Sequence, residues 1–127
     1  LGKKPPEVLR SKDYFVLFPS EEEIRALDPD MSLLKKIDLR GVTVTAKGKD
    51  VDFVSRFFAP KYGVNEDPVT GSAHCALVPY WANKLGKKDL LAHQVSKRGG
   101  ELFCRDQGDR VIISGRAVAY MEGVISI

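Results

Sequence analysis

The residues best suited to chemistry crowd into one segment, Gly63-Val64-Asn65-Glu66-Asp67-Pro68-Val69-Thr70-Gly71-Ser72-Ala73-His74. Thr70 suits the N-cap of a helix. A helix starting there leaves the amides of Gly71, Ser72 and Ala73 in a first turn without intrahelical partners. Small side chains let a carboxylate approach those amides closely, the helix dipole adds about 0.3–1 kcal/mol, and the Ser72 hydroxyl can donate a further hydrogen bond. Asp67 lies just upstream on a segment stiffened by Pro68, where its carboxylate can serve the same turn as acid, base or hydrogen-bond acceptor. The same residues also fit a plainer reading, because Thr-Gly-Ser is ordinary capping chemistry and Asp-Pro a frequent turn dipeptide. Glu66 is expected to face solvent. His74, near a helix N-terminus, suits a neutral imidazole in a packing or surface role. Arg98-Gly99-Gly100 fits either a second backbone contact to an anion or a turn joining two strands.

Other chemistries find less support. Cys75 and Cys104 form no CxxC pair, and His74 and His93 are the only histidines. A zinc site needs four converging ligands, so no metal is expected and both thiols read as small buried hydrophobes in a reducing compartment.

The elements that must position the segment are legible from apolar patterning. Tyr14 to Phe18 is a continuous β-forming run, as in a buried strand. Ser20 followed by Glu23 has capping-box spacing and opens a short helix to about Leu27; Asp30 caps a second through Met31, Leu33, Leu34 and Ile37. Val42 to Ala46 alternates and is followed, after the turn at Lys47 to Asp50, by Val51 to Phe58. This pair predicts an antiparallel hairpin with one buried face. Ala59 to Val69 reads as loop. Ala73, Leu77, Trp81 and Leu85 then form a helical stripe from Gly71 to Leu85, closed by Gly86 and interrupted by Pro79. Leu91 to Ser96, Glu101 to Arg105, Val111 to Ser114 and Arg116 to Ile127 predict a closing meander of strands. The sum is an α+β fold, a mostly antiparallel curved sheet around one central helix, in a single domain spanning residues 1–127.

Composition narrows the function class further. The 127 residues carry a net charge of +3 and are 43% hydrophobic, as expected of one globular domain. The small basic excess is spread along the chain, which argues against nucleic acid as a partner. No apolar run approaches a membrane span, and no signal sequence opens the chain, so a cytoplasmic protein is expected. The leading residue is Leu, which suggests a piece of something longer.

Glu66-Asp67-Pro68-Val69-Thr70-Gly71-Ser72-Ala73-His74 closely resembles the C-terminal-half motif of the PhzF-like family of phenazine biosynthesis, whose fold is similar to that of diaminopimelate epimerase. The resemblance extends through Ser55 to Pro60, Lys97 to Leu102 and Val124 to Ile127. It covers this whole chain but only the second half of the family's length. It implies a two-lobed protein with the active site between the lobes and the N-terminal lobe absent here. In the family's best-known members the reaction is isomerisation of trans-2,3-dihydro-3-hydroxyanthranilate by proton movement, without cofactor or metal. The principal acid/base is a Glu of the other lobe. By resemblance Asp67 is the second acidic residue, contacting the substrate's polar group, and Gly71 and Ser72, with Thr70 and Ala73 beside them, hold the substrate carboxylate. The related epimerases use paired cysteines, and Asp67 near that place argues against thiol chemistry. The expected partners are a small carboxylate-bearing metabolite, the missing N-terminal lobe and, in the assembled protein, a second copy as homodimer. The rival expectation is a non-catalytic metabolite-binding or interaction protein of the same fold. An upstream Glu facing the motif would decide for the enzyme.

Overall fold

The computed structural model describes all of residues 1–127. Its elements run β1 (Glu7–Arg10), β2 (Tyr14–Leu17), α1 (Glu21–Arg25), α2 (Met31–Leu34), β3 (Val42–Lys47), β4 (Phe53–Ala59), a 3-10 turn (Pro60–Tyr62), β5 (Val64–Asp67), α3 (Gly71–Leu85), β6 (Asp89–Gln94), β7 (Gly100–Asp106) and β8 (Val111–Ser114). The strands join in one mixed sheet ordered β1-β2-β3-β4-β6-β7-β8, with β5 paired to β4 off that path. β2/β3 and β4/β6 are parallel, and the other pairings antiparallel. The fold is α+β as expected.

Local sequence accounts for the helix starts. The Glu23 amide donates to Ser20 Oγ at the head of α1, and the Ser32 and Leu33 amides donate to Asp30 Oδ1 at the head of α2. Gly86 closes α3 in the left-handed conformation, and the helix continues through Pro79.

Burial differs from expectation in the centre. β3 and β4 are buried on both faces rather than one. The alternating Thr43 and Thr45 do not mark a wet face: Thr45 Oγ1 donates to the Val54 carbonyl and accepts from Trp81 Nε1, so the hydroxyl is satisfied inside the core. Two apolar clusters result, one on each side. Phe15, Leu17, Phe53 and Phe57 meet Leu77, Val78 and Trp81 of α3 on one face. Val16, Val44, Val54 and Phe58 are covered by Ile24 and Leu34 of the short helices and Leu27 of the link between them on the other. The sheet is thus layered between α3 and the α1–α2 pair. Trp81 stacks on Phe53 with ring centroids 5.8 Å apart, which anchors α3 to β4.

Three stretches depart from the predicted elements. β1 forms in a segment to which the patterning assigns no element and β5 in one read as loop, each held by pairing with an adjacent strand, β2 and β4 respectively. Arg116 to Ile127 carries no regular structure, correcting the expected last strand, and Val118, Tyr120, Met121, Val124, Ile125 and Ile127 are exposed. A strand needs a neighbour for its backbone donors and acceptors, and this segment has none within the chain.

Candidate functional site

β5 ends at Asp67 and α3 begins at Gly71, so the motif is the short crossover from a strand on β4 to the helix packed across the sheet. Arg56, Ser96 and Gln94 hold it. Arg56 of β4 donates through Nε to Glu66 Oε1 at 2.7 Å and through its second terminal nitrogen to Glu66 Oε2 at 3.0 Å. Its remaining nitrogen donates to the carbonyls of Ile24 in α1 and Leu27 just after it. Glu66 is therefore a paired, half-buried carboxylate rather than a solvent-facing one, and the Arg56 fork ties β5 to α1. On the other side, Ser96 Oγ donates to the Pro68 carbonyl at 2.9 Å.

Thr70 has the extended backbone of an N-cap, φ −119° and ψ 96°, yet its side chain makes no capping hydrogen bond. This corrects the sequence expectation. Its hydroxyl lies 2.6 Å from Asp67 Oδ2 and 3.1 Å from Gln94 Nε2. The Thr70 amide donates to Gln94 Oε1 at 2.8 Å, and the Thr70 carbonyl accepts from His74 Nδ1 at 2.8 Å. Each polar group of Thr70 is already bonded within the protein, so it orders the turn.

The amides of Gly71, Ser72 and Ala73 donate no hydrogen bond to any group of the chain. Gly71 and Ser72 are exposed, Ala73 buried and Asp67 half-buried. A Cβ built on Gly71 meets nothing within 4 Å, so the space above the first amide is open. The helix start thus presents unpartnered donors, the positive end of the α3 dipole and a hydroxyl, with the Asp67 carboxylate at its flank. That arrangement can hold one carboxylate while Asp67 accepts from, or exchanges a proton with, a neighbouring polar group. A cavity of about 210 Å3 borders Ser72 and Ala73, lined also by Lys12, Asp13, Arg40 and Thr43. Arg40 is committed to Asp13 through Nε at 2.9 Å from Oδ1. Roomier but more open hollows lie along Leu91 and Phe103 and along Leu17 and Trp81, away from Asp67.

His74 is fully buried, and burial lowers its pKa from the ordinary 6.5. Because a carbonyl can only accept, Nδ1 carries the proton, and Nε2 is buried without a partner. His74 therefore takes the packing role in the neutral form. Cys104 is buried as expected, but Cys75 is exposed, because it faces outward on α3 one turn after Gly71. Arg98 and Gly99 form the turn before β7, with Gly99 at φ +73° and its amide donating to Ser96 Oγ.

Sequence reasoning missed Gln94. It is almost completely buried, and the inward-facing alternation Leu90, Ala92, Gln94 of β6 is the signal that could have found it, since a polar residue in an apolar phase needs buried partners.

A mixed sheet of this order, crossed by a helix that opens on Asp-Pro-Val-Thr-Gly-Ser, defines a protein of the PhzF-family fold. A solved PhzF-family phenazine biosynthesis protein of Enterococcus faecalis superposes with a TM-score of 0.88 at 51% identity, covering 91% of this chain and 45% of that one. A solved structure described as a putative phenazine biosynthesis PhzC/PhzF protein, from Clostridium difficile, gives 0.89 at 45% identity over 99% of this chain and 49% of that one. The phenazine biosynthesis-like family matches residues 2–123, and the chain belongs to it. A Pseudomonas aeruginosa relative described as an uncharacterized isomerase is 56% identical over 128 residues, covering 100% of this chain and 49% of the relative. A Halalkalibacterium halodurans relative of the same description is 51% identical, with 96% and 47% covered. The chain spans about half the length of these relatives. No helix in it is long and apolar enough to cross a membrane.

Proposed function

We propose that this chain forms one wall of an isomerase active site acting on a small carboxylate-bearing metabolite by cofactor-free proton transfer. Gly71, Ser72 and Ala73 hold the substrate carboxylate through their amides and the Ser72 hydroxyl, in a turn ordered by Thr70. Asp67 orients the substrate's polar group or relays a proton to it. A Glu from the N-terminal half of the assembled protein removes the proton from one carbon while another carbon is reprotonated, so composition is unchanged and neither cofactor nor metal is required. The observation that carries this reading is the free set of first-turn amides on α3 beside the Asp67 carboxylate. The isomerase descriptions of two relatives support the reaction class. The exposed apolar segment from Val118 to Ile127 supports a protein in which this lobe packs against another, so the chain by itself lacks activity. The reading places the enzyme in the cytoplasm, as a homodimer.

The test is Asp67→Ala in the full-length protein, assayed on an identified carboxylate substrate. A fall in kcat of about 10²–10⁴-fold is expected for a group that handles a proton in the transition state. Unchanged turnover removes Asp67 from the mechanism. A substrate-analogue complex with its carboxylate away from residues 71–73 removes the binding assignment.

A further inference from the structure

Thr70 presents an unusual arrangement: N-cap backbone and N-cap side chain, but no cap. The geometry assigns the reason to Gln94, which we propose is a positioning residue that keeps the α3 N-terminus open for an anion. This deepens the proposed function and rests on it.

The orientation of the Gln94 amide is fixed by its two backbone partners. The Thr70 amide can only donate, so the oxygen 2.8 Å from it is Oε1; the Asp67 carbonyl can only accept, so the nitrogen 2.6 Å from it is Nε2. The second Nε2 hydrogen points to Thr70 Oγ1 at 3.1 Å. Thr70 Oγ1 accepts there, and its single proton goes to Asp67 Oδ2 at 2.6 Å. An N-cap hydroxyl works by accepting from the second or third amide of the helix. Held between Gln94 and Asp67, the Thr70 hydroxyl is turned away from Ser72 and Ala73, which keep free donors. Gln94 reaches across 24 residues to do this from a site that is 1% exposed, the end of β6. Without Gln94, the extended backbone of Thr70 is already suited to capping, and the hydroxyl would compete with a ligand carboxylate for the same amides.

The test uses the full-length protein with benzoate as a carboxylate probe, read by amide shifts of Gly71, Ser72 and Ala73. Hydrogen exchange is read in parallel. In the unsubstituted protein these amides exchange fast and shift on benzoate addition. Gln94→Met is expected to raise the benzoate Kd on the order of tenfold, the scale of one capping interaction, while the Ser72 or Ala73 amide gains protection. Adding Thr70→Val, which removes the competing hydroxyl, is expected to return Kd to within about twofold of the starting value, judged against the same capping scale. A side chain that merely supports folding would lower protection generally and would not be rescued by a second substitution. Gln94→Asn, too short to span both partners, serves if Gln94→Met does not fold. If neither folds, protected Ser72 and Ala73 amides in the unsubstituted protein overturn the proposal and fast exchange supports it. Unchanged Kd in the Gln94 variant, or no rescue by Thr70→Val, also overturns it. Absence of any benzoate shift at residues 71–73 in the unsubstituted protein instead refutes the anion site itself.

Discussion

His74 Nδ1 donates to the Thr70 carbonyl at 2.8 Å, while Nε2 on the opposite side of the ring is buried with no partner. The pair locks α3's first turn to the residue before it, and burial, which outweighs this bond, favours the neutral imidazole. Protonation would place a buried N–H with nothing to receive it.

Stability should therefore depend on pH with a definite sign. The ordinary His value is 6.5 and burial puts the folded value below it, so between the two the unfolded chain binds more protons. The contribution is fully present above 6.5 and is lost as pH falls from there through the folded value. Urea titrations at pH steps from 7.5 to 5 should show stability falling by at most about 1.4 kcal/mol per pH unit from this group. His74→Phe should remove that part of the slope. An unchanged slope in the variant would assign the acid sensitivity elsewhere.

Arg56 should matter more for stability than its place in a strand suggests. It joins Glu66 to the carbonyls of Ile24 in α1 and Leu27 beyond it, and stacks over Phe58 with its guanidinium carbon 4.9 Å from the ring centroid. Arg56→Lys keeps the charge but not the fork, and should cost on the order of 2 kcal/mol. Arg56→Ala should cost more, because it also strands Glu66, and pairing it with Glu66→Gln should recover part of the loss. Denaturant unfolding measures all four corners of that cycle. Strict additivity would mean the two side chains do not act as a unit.

The fold was readable where one segment carries its own instructions. Tyr14 to Leu17 is apolar on both faces and lies inside; Ser20 and Asp30 cap as their spacing predicts. β1 and β5 were not readable, because Glu7–Arg10 and Val64–Asp67 are exposed or half-buried and hold strand form only through neighbours. Thr43 and Thr45 misled in the opposite direction, since a satisfied hydroxyl is cheap to bury and alternation alone does not reveal the satisfaction. At the site, the local run Asp67 to Ala73 was legible as a helix start with free amides beside a carboxylate. The hydrogen bonds that arrange it come from Arg56, Gln94 and Ser96, whose roles depend on strand register rather than on local spacing.

The two thiols should separate cleanly in reactivity. Cys104 is buried in the α3-side cluster, and desolvation pushes its pKa up to about 11, while Cys75 is exposed. The thiolate is the reacting species, so a small aromatic disulfide at pH 7.5 should titrate one thiol per native chain and a second only in denaturant. Mass mapping should find the native adduct on Cys75. Equal rates for both would mean that the packing of β7 on α3 opens readily.

Gly100 gives the sharpest steric test of how the site is held. A Cβ at this position would lie 2.2 Å from Val69 Cγ2, too close for any real contact. Val69 has little room to withdraw, because the Pro68 carbonyl before it is bonded by Ser96 and the Thr70 amide after it by Gln94. Its branched side chain has few rotamers in which to escape. Gly100→Ala should therefore lower stability by about 1–3 kcal/mol, the scale of overpacking in a closed site. It should also shift the amides of Thr70 and Gly71, which continue the same backbone. Val69→Ala removes the colliding methyl groups, so the double variant should regain stability relative to Gly100→Ala alone. If Gly100→Ala is harmless, or if Val69→Ala fails to offset it, then β7 does not press on the crossover, and the motif owes its position to Ser96, Gln94 and Arg56 alone.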